Sequence, residues 1–237
     1  MNRKALRRVA ASLSAFGMLA AALVAAQTSE PKLSRKTGVQ TPGVQHGIAE
    51  LIPDATFTVE GRPDWMAITS DAVWVASSNV NHVVRLDAKT NQPTRIVTVA
   101  EPCAGLAVGF GSLWIPSCGH HTVVRVNAKT GARQATISAS PADPEGGIAV
   151  GAGSVWIVTS KESDLVRIDP VVNAVSAHIR IPRGSFNPLF ANDSIWISSN
   201  TGGTLVRVDP STDRVVSETQ VGPCRASSLW AQAPSGF

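Results

Sequence analysis

Aromatic side chains are scarce in this chain, only 5% of 237 residues, and tyrosine is missing altogether. Each tryptophan position is therefore informative. Several catalytic patterns are absent as well. There is no Gly-x-Ser-x-Gly elbow, no His-Glu-x-x-His pair, no Cys-x-x-Cys and no phosphate-binding glycine loop, so the chemistries that depend on those spacings find no support. An excess of one charge is also lacking. The formal net charge is +4, but residues 1–26 hold four of the 21 basic side chains and no acidic one, which leaves 17 basic against 17 acidic. Nucleic-acid binding needs concentrated Lys and Arg, and this balance excludes it as an expectation.

The basic start, Arg3, Lys4, Arg7 and Arg8, precedes an uncharged run from Val9 to Ala26 that ends in the small-residue site Val24-Ala25-Ala26. This order is that of a cleaved secretory signal, with no lipobox cysteine behind it. The mature chain is expected to begin near Gln27, to lie in the periplasm or outside the cell, and not to be an integral membrane protein. Residues 27–54 are polar and carry no apolar period, so they read as a flexible leader.

What is present is a repeat. Trp74, Trp114, Trp156 and Trp196 lie 40, 42 and 40 residues apart, each in the same surroundings, as in GLAVGFGSLWIPS and IAVGAGSVWIVTS. A period of this length signals a repeat architecture. Short alternating or β-branched runs divided by turn residues give four strands per copy, with no helical period. The first turn holds Asp71, Phe110-Gly111, Ala152-Gly153 or Asn192-Asp193, where positive φ is expected. The third runs Asp87 to Asn91, Asn127 to Gly131, Asp169 to Asn173 or Asp209 to Asp213. Its first residue can accept backbone N–H groups and its last can turn left-handed. Arg85, Arg125, Arg167 and Arg207, each two residues before Asp or Asn on one strand face, read as a repeated turn-and-surface device. Four-stranded units of this length point to an all-β protein, a β-propeller of four-stranded antiparallel blades, with the tryptophans packed between neighbouring blades.

On these residues the chain resembles the YVTN-type repeat propellers of exported bacterial proteins and, more loosely, the virginiamycin B lyase-like propellers. The resemblance covers roughly Thr56 to Val221 and rests on the recurring VGxGSxWI, VxRxD and DPxTxxV elements. It implies a partial propeller over 55–237, with blades at about 60–100, 101–143, 144–183 and 184–222 and a broken fifth, out of about seven.

The hairpin that turns at Phe110 and Gly111 sets Cys103 opposite Cys118, at a separation a disulfide accepts. A zinc site with His120 and His121 is the alternative.

In a propeller the loops leading into first strands share a concave face with those joining second and third strands, and side chains from every blade can meet there. Ligand-binding candidates on these loops are Arg62, Asp64, Trp65, His120, Glu145 and Asn187. Asp64, Glu145 and Asn187 are oxygen donors on three blades that suit Ca²⁺ or Mg²⁺; no other cofactor is expected. Three functions are open: a binding module for a small molecule, peptide or protein; a metal-dependent enzyme of lactonase or lyase type; or a truncated product without activity. The last is motivated by the tail. Cys224 matches Cys103, yet its hairpin partner would fall at position 239, and Trp230 lies only 34 residues beyond Trp196. A frameshift near Cys224 is the expectation, together with an orphan fourth strand at Phe57–Val59.

Overall fold

The computed structural model describes residues 52–142, 146–159 and 163–222. Within the unit Ala55–Phe237 the first sheet contains β1 (Pro63–Ile68), β2 (Ala72–Ser77), β3 (His82–Asp87) and β4 (Pro93–Thr98). The second contains β5 (Ala107–Gly109), β6 (Ser112–Ser117), β7 (Thr122–Asn127) and β8 (Arg133–Ser138). β9 (Ile148–Gly151), β10 (Ser154–Val158), β11 (Asp164–Asp169) and β12 (Ala174–Arg180) form the third. β13 (Ser185–Ala191), β14 (Ser194–Ser199), β15 (Thr204–Asp209) and β16 (Arg214–Gln220) form the fourth. Each sheet is an antiparallel meander in chain order, with its first strand meeting that of the next sheet. These are four successive blades of a β-propeller. Among the described residues, no helix is long and apolar enough to cross a membrane.

Sequence sets depth within a blade. The second strands are apolar almost throughout, and all of Ser112–Ser117 and Ser154–Val158 is buried, as a strand covered on both faces requires. The outermost strands are polar and largely exposed. Trp74, Trp114 and Trp156 are fully buried, each in a cluster that spans two blades: Trp74 with Leu113, Ile115, Val124 and Val126; Trp114 with Val155, Ile157, Val166 and Ile168; Trp156 with Ile195, Ile197, Val206 and Val208. The approach is close. A Cβ at Gly151 would collide with the Phe190 ring of the next blade.

The turns follow the sequence in three of the four blades. Phe110-Gly111, Ala152-Gly153 and Asn192-Asp193 all have positive φ at both central positions, the type I′ geometry that matches strand twist. That geometry turns the carbonyls of Gly109, Gly151 and Ala191 toward the indole Nε1–H groups of Trp114, Trp156 and Trp196, which donate to them at 3.2, 2.9 and 3.0 Å. Blade 1 departs from this. Neither Ser70 nor Asp71 has positive φ, and the Trp74 indole N–H is buried without a partner. Third turns behave as expected in all four blades. Asp87 accepts the N–H groups of Lys89 and Thr90 at 2.9 Å, and Asn91, Gly131, Asn173 and Asp213 are left-handed. The N–H groups of Thr90 and Lys89 hold the Asp87 carboxyl below its ordinary range. A depressed folded value favours the fold above the unfolded pKa and loses that contribution as pH falls through the folded one.

The arginines do more than mark a turn. Arg125, Arg167 and Arg207 lie over the rings of Trp114, Trp156 and Trp196, at 4.7, 5.1 and 5.6 Å. Their Nε–H groups donate to Ser112, Ser154 and Ser194 at 2.8, 2.8 and 2.9 Å. Two of them then cross the blade boundary. Arg125 donates to the Pro170 carbonyl and Asn173 Oδ1 at 2.5 and 2.7 Å, and Arg167 to the Pro210 carbonyl and Asp213 Oδ1 at 3.1 and 3.0 Å. Each clamps the third turn of the following blade. In blade 1, Ala72 stands where the others have serine, and the next turn ends in Gly131, whose Cβ position lies 3.5 Å from the Trp74 ring. Without those acceptors, Arg85 turns to Asp71 at 2.9 Å and Thr94 at 3.0 Å, and its Nε is left unpartnered.

Charge-assisted bonds of this kind contribute about 1.5–3 kcal/mol, so Arg167→Ala is expected to lower unfolding free energy by roughly that amount. Arg167→Lys should recover little of it, because an ammonium lacks the planar fork that reaches serine, carbonyl and carboxylate together. Urea midpoints of the two variants check this.

Two further differences concern the start of the propeller. Phe57–Val59 forms no strand; Val59 instead covers Val73, Val75, Val84 and Leu86 on the outer face of blade 1. Cys103 and Cys118 are joined, with Cα atoms 5.7 Å apart, but not in simple register. Ala107 pairs with Trp114, whereas Pro102 bridges to Ser117, so the pairing slips between those points.

Candidate functional site

The loops ahead of the first strands and those after the second strands converge as a propeller requires, and at blades 1 and 2 they enclose a cleft of about 410 Å³ lined by Asp64, Ser78, Asn79, Glu101, Pro102, Cys103 and Cys118. Backbone bonds build its walls. The Arg62 N–H donates to Asn79 Oδ1 at 2.7 Å, tying the segment before β1 to the 3-10 turn Ser78–Val80. Asn81, left-handed at φ 55°, places its Oδ1 2.8 Å from the Glu101 N–H. The Cys118 N–H reaches the Glu101 carbonyl at 3.0 Å and the Ser117 hydroxyl donates to the Ala100 carbonyl at 2.5 Å. The disulfide closes the same wall.

Glu101 is held between these contacts at φ 43°, a conformation that costs a non-glycine residue free energy and persists where surroundings over-determine it. Glu101 and Asp64 both line the cleft, and among the described residues no lysine or arginine does. The polar lining can therefore accept hydrogen bonds from a cationic group and neutralise its charge.

The loop carrying His121 obeys a rule shared by all four blades. Asn81, His121, Ser163 and Gly203 are each left-handed, and their carbonyls accept the N–H of Val99, Ala139, Ile181 and Val221 where the fourth strand ends. His121 thus holds a turn by its backbone. His120 is exposed beside it and does not line the cleft.

Of the other residues expected from sequence, Asp64 lines the cleft, and the Arg62 N–H donates to the side chain of Asn79 in its wall. Trp65 is half-buried against the core between blades 1 and 2. Asn187 lies in the irregular stretch of β13 in blade 4, left-handed at φ 53°, with its N–H on the Gly146 carbonyl at 3.1 Å. Glu145 falls outside the described residues, as do the signal, most of the leader, Cys224 and Trp230. Among the described residues no three His, Cys, Asp or Glu side chains gather as a metal site. Sequence reading missed Glu101. It lies directly before Pro102, where backbone freedom is restricted, and the disulfide anchors the chain two residues on, at Cys103.

No family model matches the chain, and no curated protein sequence matches it. Solved structures do. The virginiamycin B lyase of Staphylococcus aureus is similar over 69% of this chain and 57% of its own, with 19% identity and a TM-score of 0.58. Hydrazine synthase of Kuenenia stuttgartiensis is similar over 71% and 52%, at 17% identity and 0.58, and BamB of Moraxella catarrhalis over 69% and 50%, at 17% identity and 0.55. At these identities the likeness is one of fold. The chain spans only about half the length of the structures it resembles.

Proposed function

We propose that this protein is an exported binding module, and that it takes a cationic ligand, a small amine or a basic peptide side chain, in the cleft between blades 1 and 2. The observation that carries this reading is that Asp64 and Glu101 both line an open volume of about 410 Å³ and that no basic residue is among its described lining. The Cys103–Cys118 bond favours an oxidising compartment, and the likeness to BamB is compatible with that. Two carboxylate residues lining one cleft can bind a cationic charge and orient it.

Calorimetric titration tests the reading. A short oligolysine peptide should bind, and its oligoglutamate counterpart should not. Asp64→Asn and Glu101→Gln should each weaken binding by about tenfold, the loss of one charge-assisted contact. Equal binding of both peptides, or of wild type and both variants, would overturn it. Titration with Ca²⁺ and Mg²⁺ addresses the metal-dependent alternative, in which Asp64, Glu145 and Asn187 are the ligands: tight stoichiometric uptake lost in Asn187→Ala supports that alternative and counts against the cationic cleft.

A further inference from the structure

The clamp between successive blades has two halves, and among the described residues each end of the four-blade arc presents one of them unmatched. The donor half is an arginine laid over a tryptophan and held by serine. The acceptor half is the third turn of the following blade, a carbonyl with an Asn or Asp oxygen four residues from the turn's start. Both halves meet at Arg125 with Pro170 and Asn173, and at Arg167 with Pro210 and Asp213.

In blade 4 the donor half is fully assembled. Arg207 lies over Trp196 and its Nε–H donates to Ser194, but its terminal nitrogens meet no acceptor among the described residues. The surrounding face is open: Leu189 and Val221 are 38% and 42% exposed, where the matching Ala107 and Ala139 of blade 2 are at 8% and 7%.

Blade 1 offers the acceptor half. Asn91 ends its third turn at φ 58°, alongside 53° and 55° for Asn173 and Asp213, and it is exposed with no side-chain partner among the described residues. On the face that in later blades receives the preceding tryptophan, Val59 covers the centre. Met66, Ile68 and Ile96, on the inner and outer strands of that face, stay 60%, 70% and 65% exposed.

We propose that blade 4 of one copy docks on blade 1 of a second copy, head to tail, with Arg207 donating to the Ala88 carbonyl and the Asn91 amide oxygen while Trp196 and Leu189 cover Met66 and Ile68. The chain then supplies both sides of the contact, and repetition of a heterologous contact either closes a ring or extends a row.

Sedimentation of the full chain over a range of concentrations tests this. Wild type should associate. Arg207→Ala and Asn91→Ala should each weaken association by about tenfold, with circular dichroism unchanged. Arg207→Glu should abolish it, and adding Asn91→Lys to the same chain should restore it by reversing the polarity of the pair. A monomer at all concentrations, association that neither alanine variant weakens, or a double variant that remains monomeric would each overturn the proposal; dimers and longer rows that obey the charge reversal both support it.

Discussion

Trp156→Ala is expected to lower the unfolding free energy by about 3–5 kcal/mol, the range for removing a large aromatic side chain from a core. Trp156 is fully buried among Ile195, Ile197, Val206 and Val208 of the next blade. Its loss leaves a cavity at a blade boundary, removes the ring beneath Arg167 and frees the Gly151 carbonyl. Trp196→Ala supplies the internal control. Trp196 occupies the same place in its repeat and makes the same indole bond to Ala191, but it is only half-buried, so the expected cost is clearly smaller. Guanidinium denaturation of both variants measures the difference. Equal costs would mean that burial between blades is not what the tryptophans contribute.

The second large effect concerns the disulfide. Cys103 and Cys118 close a loop of sequence separation 15, for which chain entropy predicts a contribution of about 3 kcal/mol. The double replacement of Cys103 and Cys118 by alanine is therefore expected to unfold at markedly lower denaturant than the wild type. Dithiothreitol should bring the wild type to the same point and leave the variant unmoved. Since both cysteines line the cleft, the double variant should also bind oligolysine more weakly. Unchanged stability in the variant, or a wild type indifferent to reductant, would contradict this.

Much of the fold was legible because it is periodic. Tryptophan spacing, Gly-x-Gly turns and Asp-Pro turns gave strands, blades and the left-handed residues that join them, and pairing across one hairpin gave the disulfide even though the actual register slips near Pro102. Reading failed where one copy departs from the others. Nothing local to Ser70-Asp71 says that this turn is not the mirror type; the reason lies in a chain of substitutions, Ala72 for serine and Gly131 for Asn or Asp, that leaves Arg85 to seek Asp71. The arginine clamp was invisible for a related reason, since its acceptors lie 43 to 48 residues away.

Site residues were harder still. Asp64 was legible as a loop-face polar group, because propeller topology alone places it there. Glu101 was not, since its position depends on the Asn81 side chain and on a linker that no repeat average describes. Trp65, a ligand-binding candidate from sequence, lies at the first-strand irregularity between Pro63 and Met66 and is half-buried against the core between blades 1 and 2.

If the cleft around Asp64 and Glu101 receives the ligand, adding oligolysine to the full chain will slow amide hydrogen exchange only in the segments around Arg62–Asp64, Ser78–Asn81, Glu101–Cys103 and Cys118, and the Glu101→Gln variant will lose that protection. Protection centred on blades 3 and 4, or none at saturating peptide, would contradict it.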